Sequence, residues 1–246
     1  MKTDKGIRRY FGLNLAELLS EKIKFAYHDF NDKAYIQAIA EQVSELGYTQ
    51  RIELHAKELS KCLPEDYERA INILIRVLGP ENPNETGMFS SYYWIMPIGK
   101  YVELYGLNEF DVSMRAISEI TKRNTGEYAI RPFLRKYPDK TIEQLLTWAK
   151  SNNFHLRRLA SEGSRPKLPW ASKLDVFIQN PEPVFSILNI LKEESVKFVQ
   201  KSVANNTTDY LKVNYEAARA LLRGWSESNN KNTRWIVKHA TRKIKI

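Results

Sequence analysis

Apolar residues recur along this chain at three- and four-residue intervals, the period of an amphipathic helix. Ile142, Leu145, Leu146 and Ala149 form one stripe, Ala217, Ala218, Leu221, Leu222 and Trp225 a second, and Val196, Val199 and Val203 a third. Thr141-Ile142-Glu143-Gln144 reads as a capping box opening the first of these. No segment alternates polar and apolar positions as a half-buried strand does. Breaks fall from Gly79-Pro80 through Gly87, at Gly163 to Pro169 and at Asn180 to Pro183. With helices of ordinary length, the pattern predicts an all-α chain of roughly ten to fourteen short helices joined by short loops.

The stripes also repeat. Val112-Ser113-Met114-Arg115-Ala116, His155-Leu156-Arg157-Arg158-Leu159-Ala160, Val199-Gln200-Lys201-Ser202-Val203-Ala204 and Trp235-Ile236-Val237-Lys238-His239-Ala240 each carry a basic residue close before an alanine. The alanines are spaced by 44, 44 and 36 residues. Helix-pair solenoids of the HEAT kind have a period of ~40–47 residues, and alanine suits a place where paired helices touch closely. The expectation is a HEAT-like helical repeat solenoid with a concave basic face. Arg157, Arg158, Lys201 and Lys238 along that face would form a phosphate-tracking groove. The chain reads as one domain, with N-terminal helices over 1–87 and repeats over 88–246.

Composition changes the picture in one respect. Hydrophobic residues at 43% and charged residues at 27% are ordinary for a soluble protein. The apolar runs are too short for a bilayer, and Met1 to Tyr10 is charged with no apolar stretch after it, unlike a secretory signal. Cys62 is the sole cysteine, which fits a reducing cytoplasm. It and the scattered His28, His55, His155 and His239 offer no zinc spacing, so no metal or other cofactor is expected. The charge is more telling. Residues 151–246 carry 17 Lys+Arg against 8 Asp+Glu, which is the whole +9, while the first 150 residues balance at 21 of each. A polyanion partner, nucleic acid before membrane, is one reading of that asymmetry; a basic surface kept for solubility is the other.

Three carboxylates stand out by position. Glu127 follows Thr125-Gly126 and Asp209 follows Thr207-Thr208, both read as helix starts, where an acid complements the helix dipole with no other role. Glu162 differs. Gly163 and Pro166 mark a helix end, so Glu162 faces the negative end of a dipole. Either Arg158 or Arg165 pairs with it, or it is held facing a cationic ligand. A carboxylate with basic flanks suits chemistry on an electron-deficient nucleoside. Among the aromatics, Trp94, Trp148 and Trp225 read as core. Trp170 and Trp235 lie near basic residues and read equally as core or as DNA-facing.

The stretch from Arg157 to Ala171, Arg-Arg-Leu-Ala-Ser-Glu-Gly-Ser-Arg-Pro-Lys-Leu-Pro-Trp-Ala, closely resembles a segment of the AlkC family of bacterial alkylpurine DNA glycosylases, relatives of AlkD with a HEAT-like repeat fold. Thr125-Gly126-Glu127-Tyr128-Ala129-Ile130-Arg131-Pro132-Phe133 upstream and Ser202-Val203-Ala204-Asn205-Asn206 followed by Asp209 downstream resemble the same family. The resemblance implies three carboxylates around the lesion, at Glu127, Glu162 and Asp209, with Trp170 as an aromatic of that region and Arg158 and Arg165 near the DNA backbone. Arg131, Arg157, Lys167, Lys201, Asn206, Lys238 and Arg242 complete the expected DNA-binding set. Two departures stand beside it. Some family members carry an additional immunoglobulin-like domain, for which a chain ending at Ile246 in the basic tail Arg242-Lys243-Ile244-Lys245-Ile246 leaves no room. Thr207-Thr208 also stands where a different pair is expected.

The activity so implied is monofunctional hydrolysis of the N-glycosidic bond of cationic bases such as 3-methyladenine and 3-methylcytosine in duplex DNA, leaving an abasic site. The expected protein is a cytoplasmic monomer that associates with the bacterial nucleoid through DNA. A cationic base leaves neutral, so acids that stabilise positive charge on the sugar and orient a water would suffice. Two other classes compete: a catalytically silent HEAT-like binder of DNA structure, and a protein-binding helical scaffold, which has no need of a basic half or of Glu162.

Overall fold

Caps fix where the predicted stripes begin. The computed structural model describes residues 6–242. In it, Asn153 accepts hydrogen bonds from the amides of His155 and Leu156 at 2.9 and 3.3 Å, and Asn230 from those of Asn232 and Thr233 at 2.8 and 3.4 Å. Asn214 does the same for Ala217 at 3.4 Å. Each asparagine supplies an acceptor to amides that have no partner inside their own helix. The capping box expected at Thr141 is not used. That helix starts earlier, on Pro138, whose ring presets φ and lacks the amide that would need a partner. Thr141 then turns its hydroxyl onto the Tyr137 carbonyl at 2.7 Å.

Fifteen α-helical segments lie among the described residues, and no strand. The count exceeds the expectation because three are single short turns of six residues or fewer. They divide into two compact units. One takes the described residues to Asn82 together with Gly87–Thr125, and the other takes Pro83–Thr86 and the residues from Gly126 on. The chain passes from the first unit to the second between Thr125 and Gly126.

The first unit holds α1 (Leu13–Ala26), α2 (Asp32–Gln42), α3 (Tyr48–Cys62), α4 (Tyr67–Arg76), α5 (Phe89–Tyr92), α6 (Met96–Tyr105) and α7 (Phe110–Thr121). Here α1 packs on α2 and α4, α3 on α2 and α6, and α7 on α4 and α6. Leu15, Leu19, Ile39, Leu59, Ile71, Val102 and Ile117 are fully excluded from water between them, and Trp94 is core as its apolar neighbours predict.

The second unit holds α8 (Arg131–Lys136), α9 (Pro138–Ala149), α10 (Phe154–Gly163), α11 (Asp175–Gln179), α12 (Glu182–Leu191), α13 (Lys197–Val213), α14 (Tyr215–Ser226) and α15 (Lys231–Thr241). Three pairs of consecutive helices pack together here: α9 with α10, α12 with α13, and α14 with α15. The second members pack side by side in the order α10, α13, α15, and α9 packs on α12. This is the HEAT-like repeat that the alanine spacing predicts. Ala160, Ala204 and Ala240 are buried in those three second members, and Ala116 is buried in α7 of the first unit. The Thr208 hydroxyl ties two of the anchors, bonding the carbonyls of Ala204 at 2.8 Å and Ala240 at 2.9 Å. Trp148 and Trp225 are core. No described helix is long and apolar enough to cross a membrane. Of the basic tail, Arg242 is described; residues 243–246 lie outside the described residues.

Candidate active site

The site is built where the end of α10 meets the middle of α13. A helix end leaves carbonyls without partners. Here the Ser164 hydroxyl donates to the Ala160 and Ser161 carbonyls at 2.7 and 3.1 Å, and Asn206 Nδ2 donates to the Ser161 carbonyl at 2.7 Å. Gly163 is needed for close approach. A Cβ on it would sit 2.7 Å from Ile130 Cγ2, in the turn that carries Glu127. So Gly163 lets the Glu127 turn lie against the end of α10.

Ser202, Asn206 and Asp209 are spaced by four and three residues, and they share one face of α13. All three turn to the end of α10. The Ser202 hydroxyl donates to Glu162 Oε2 at 2.6 Å. Arg165, just past the helix, donates from Nη1 to Glu162 Oε1 at 2.6 Å and from Nε to Asp209 Oδ2 at 2.7 Å. Arg158, one turn before Glu162, lies 2.9 Å from Glu127 Oε2 and 3.7 Å from Glu162 Oε1, with its guanidinium over the Phe198 ring at 4.8 Å. The result is an alternating row: Glu127, Arg158, Glu162, Arg165, Asp209. Three carboxylates and two guanidiniums leave one formal negative charge. The row also has a gradient of access: the Glu162 and Asp209 side chains are 8% exposed, Glu127 13% and Arg158 18%.

Burial and charge act in opposite directions along the row. Burial pushes the Glu162 carboxyl up, but the guanidiniums of Arg158 and Arg165, with the hydrogen bonds from Ser202 and Arg165, outweigh it and hold it below the ordinary value. At Asp209 burial wins. Its carboxyl is raised despite the bond from Arg165, with the neighbouring Glu162 charge adding to the rise. Glu162 is thus the firmly ionised member of the pair, and Asp209 the better proton acceptor.

The sequence-predicted residues fall into three groups. Glu127, Glu162, Asp209, Arg158 and Arg165 come together as one row. Arg158 and Arg165 both pair with Glu162, which combines the two partners the sequence left open. Two local expectations are corrected. Asp209 is not at a helix start: it lies deep in the 17-residue α13, because Thr207 and Thr208 satisfy their hydroxyls on the Val203 and Ala204 carbonyls at 2.9 and 2.8 Å and so continue the helix. Glu127 lies in the turn before α8, whose start is set by Pro132.

A second group was expected on DNA and is used inside the protein. Arg131 is fully buried and donates to the carbonyls of Gly163 at 3.1 Å, Arg165 at 2.8 Å and Ser172 at 2.6 Å. Its guanidinium braces the loop after α10. Arg157 pairs with Glu194 at 2.5 Å and donates to the Ser151 and Asn152 carbonyls; Glu194 in turn accepts the amides of Ser195 and Val196 at 2.9 and 3.0 Å. It fastens the start of α10 to the entry of α13. Asn206 is fully buried against α10. The third group, Lys167, Trp170, Lys201, Lys238 and Arg242, is exposed. Trp170 is 85% exposed with φ at 58°, a strained backbone for a bulky residue, which costs about 1–3 kcal/mol and is most often held for a function. Sequence reasoning missed Ser202 and Phe198 as parts of the site. The signal for Ser202 was its spacing from Asn206 and Asp209.

Helical-repeat architecture and this row of acids define the class: a HEAT-like all-α protein with a carboxylate site in a basic unit. Comparison with known proteins narrows it. A match to the DNA alkylation repair enzyme family covers residues 115–244, more than half of the chain. The chain therefore belongs to the DNA alkylation repair enzyme family. It is 34% identical over 239 residues, 97% of its length, to the uncharacterized protein YhaZ of Bacillus subtilis, and spans 64% of that relative. Its fold is like that of the Pseudomonas fluorescens alkylpurine DNA glycosylase AlkC bound to DNA containing an abasic site analog, at a TM-score of 0.87 and 31% identity over 98% of this chain and 65% of that one.

Proposed function

We propose that this chain is a monofunctional DNA glycosylase that hydrolyses the N-glycosidic bond of cationic alkylated bases, 3-methyladenine and 3-methylcytosine among them, in duplex DNA. The observation that carries the reading is the row from Glu127 to Asp209: a net-negative, arginine-interleaved site inside the unit that holds the chain's whole positive excess. Family membership and the AlkC-like fold support it.

The chemistry follows from the charges. A base alkylated on its ring nitrogen is already cationic, so the bond to the sugar breaks with the base leaving neutral and positive charge gathering at C1′. Carboxylates fixed beside that carbon favour the transition state over the ground state. Glu162, held ionised by two guanidiniums, is suited to stabilise the sugar cation. Asp209, with its raised carboxyl, is suited to accept the proton of the attacking water. Glu127 is the most open acid of the three and completes the negative wall.

The pairing of every acid with an arginine favours a second reading, a catalytically silent binder of DNA structure in which the row only holds helices together. Glu162→Gln separates the two. The purified variant and parent are incubated with methylated duplex DNA and released bases are resolved by chromatography. The glycosylase reading expects a loss of base release of about 10²–10³-fold with DNA binding kept. Unchanged release by the variant removes Glu162 from the mechanism, and no release by the parent beside intact DNA binding establishes the silent binder.

A further inference from the structure

Outside the carboxylate row, α13 and α15 present a second cluster that the proposed chemistry does not use. Lys197 and Lys201 lie one turn apart on α13, and both are exposed. Trp235 and His239 lie one turn apart on the adjacent α15, with rings stacked at 4.7 Å and 17°. The Lys197 ammonium sits 3.4 Å from the centre of the Trp235 ring and 2.7 Å from Gln200 Oε1. Lys238 and Arg242 flank the pair, and Arg242 donates to the His239 carbonyl. None of the four cations is in an ion pair with a carboxylate among the described residues. Like charges one helical turn apart repel, and here no carboxylate among the described residues neutralises them.

We propose that Lys197, Lys201, Arg242 and His239, floored by Trp235, form a phosphodiester-binding site whose occupancy is coupled to protonation of His239. The inference rests on the reading of this chain as a DNA-acting protein and adds how its grip depends on pH. The imidazole is half-buried on the tryptophan, and the charges acting on it are cations from two sides: Lys197 and Lys201 from α13, and Arg242 beyond its own helix. The second helix packed on α15, α14, adds none to that set. Burial first, and those cations after it, lower the His239 pKa below its ordinary value. In the free protein His239 is therefore mostly neutral at neutral pH. A phosphate seated among the lysines cancels the repulsion and raises the pKa, so the imidazole takes up a proton on binding. The direction follows: affinity is highest at low pH, falls as pH rises between the free and bound pKa values, and levels off above the latter. One coupled proton limits the fall to tenfold per pH unit.

The test uses undamaged duplex DNA, so it does not depend on base release. Fluorescence anisotropy is followed from pH 5.5 to 8.5 at fixed ionic strength for the parent, His239→Gln and His239→Lys, with inorganic phosphate as a competitor in a parallel arm. The expected result is an affinity that falls several-fold over this range in the parent. In His239→Gln the profile is flat and weak. In His239→Lys it is flat and strong, which a merely structural histidine would not produce. Inorganic phosphate at millimolar level displacing the DNA at one fixed pH, where its own ionisation does not vary, would identify the free anion as a sufficient ligand and still support the site. A parent profile that stays the same in His239→Gln overturns the proton coupling while leaving the glycosylase reading intact. No DNA binding by the parent at any pH in low salt overturns both.

Discussion

Arg165 is the residue on which the arrangement of acids depends, and replacing it with methionine gives a measurable consequence. Its guanidinium touches Glu162 at 2.6 Å and Asp209 at 2.7 Å, and both carboxylates are more than nine-tenths excluded from water. Methionine keeps much of the stem volume and removes the charge. Glu162 retains Ser202 and the more distant Arg158, whereas Asp209 loses its ion-pair partner. Breaking a buried pair by removing one member costs about 3–5 kcal/mol, because a charge is left desolvated and uncompensated. For a chain of this size that lowers the melting temperature by roughly 6 to 20 °C at neutral pH. The loss depends on pH. In the parent, the depressed Glu162 carboxyl contributes stability that is present above its unfolded pKa and lost as pH falls through the folded one; raised Asp209 contributes an effect of opposite sign, lost as pH rises through its folded pKa. Without Arg165 both carboxyls rise, Asp209 the further because Arg158 and Ser202 still hold Glu162 down. The variant can then neutralise them by protonation in mild acid, and its deficit grows as pH climbs from about 4.5 to 7. Circular-dichroism melts of Arg165→Met and the parent at several pH values in that range check it. A deficit of the same size at both ends of the range, or none at neutral pH, refutes the account of two buried acids held by one guanidinium.

Two further predictions bear on what holds the row in place. Gly163→Ala puts a Cβ 2.7 Å from Ile130 Cγ2 and should cost about 1–3 kcal/mol; Ile130→Ala removes that methyl, so the double variant in urea melts should recover part of the combined loss, and strict additivity would show the two residues do not meet. Arg131→Met strips donors from three carbonyls and should destabilise the protein by about 3 kcal/mol. It should leave the slope of log affinity for DNA against log salt unchanged, whereas a slope reduced by about one would return Arg131 to the phosphate interface.

Much of the fold was legible because its signals are local. Apolar periodicity and the alanines at 160, 204 and 240 report a helix contact that repeats, and nothing distant overrides them. Glu162 was legible for the same reason: a glutamate in a last helical turn conflicts with the dipole, and the conflict points to partners, which proved to be two arginines. Asp209 was placed on the wrong kind of position. Two adjacent threonines read as the end of a loop, since β-branched residues are poor helix formers. Inside α13 their hydroxyls bond back to the preceding turn and, for Thr208, across to α15, so packing decides against propensity. Ser202 carries no charge and no motif weight of its own. Its role exists only because α13 turns that face to the end of α10.

The arginines mark the limit of a charge-based reading, and the reason is chemical. In sequence, Arg131, Arg157, Arg158 and Arg165 look like the phosphate-binding residues of a basic half. In the fold all four bond groups of the protein: Arg131 carbonyls, Arg157 Glu194 and two carbonyls, and the other two the acid row. A planar guanidinium offers several donors in a fixed fork, which suits carbonyls at a helix end and carboxylates that must be held apart from one another. An ammonium is a point charge on a flexible stem and suits a backbone along which the protein moves. Most exposed cations of this unit are lysines, Lys167, Lys197, Lys201 and Lys238 among them, while Arg135, Arg223, Arg234 and Arg242 are its exposed arginines. Under the proposed function, the division lets a site with a net negative charge share its unit with exposed cations suited to phosphate. The interleaved arginines hold the three acids apart from one another, and the lysines stand exposed, where under the proposed function DNA would meet them before the buried carboxylates.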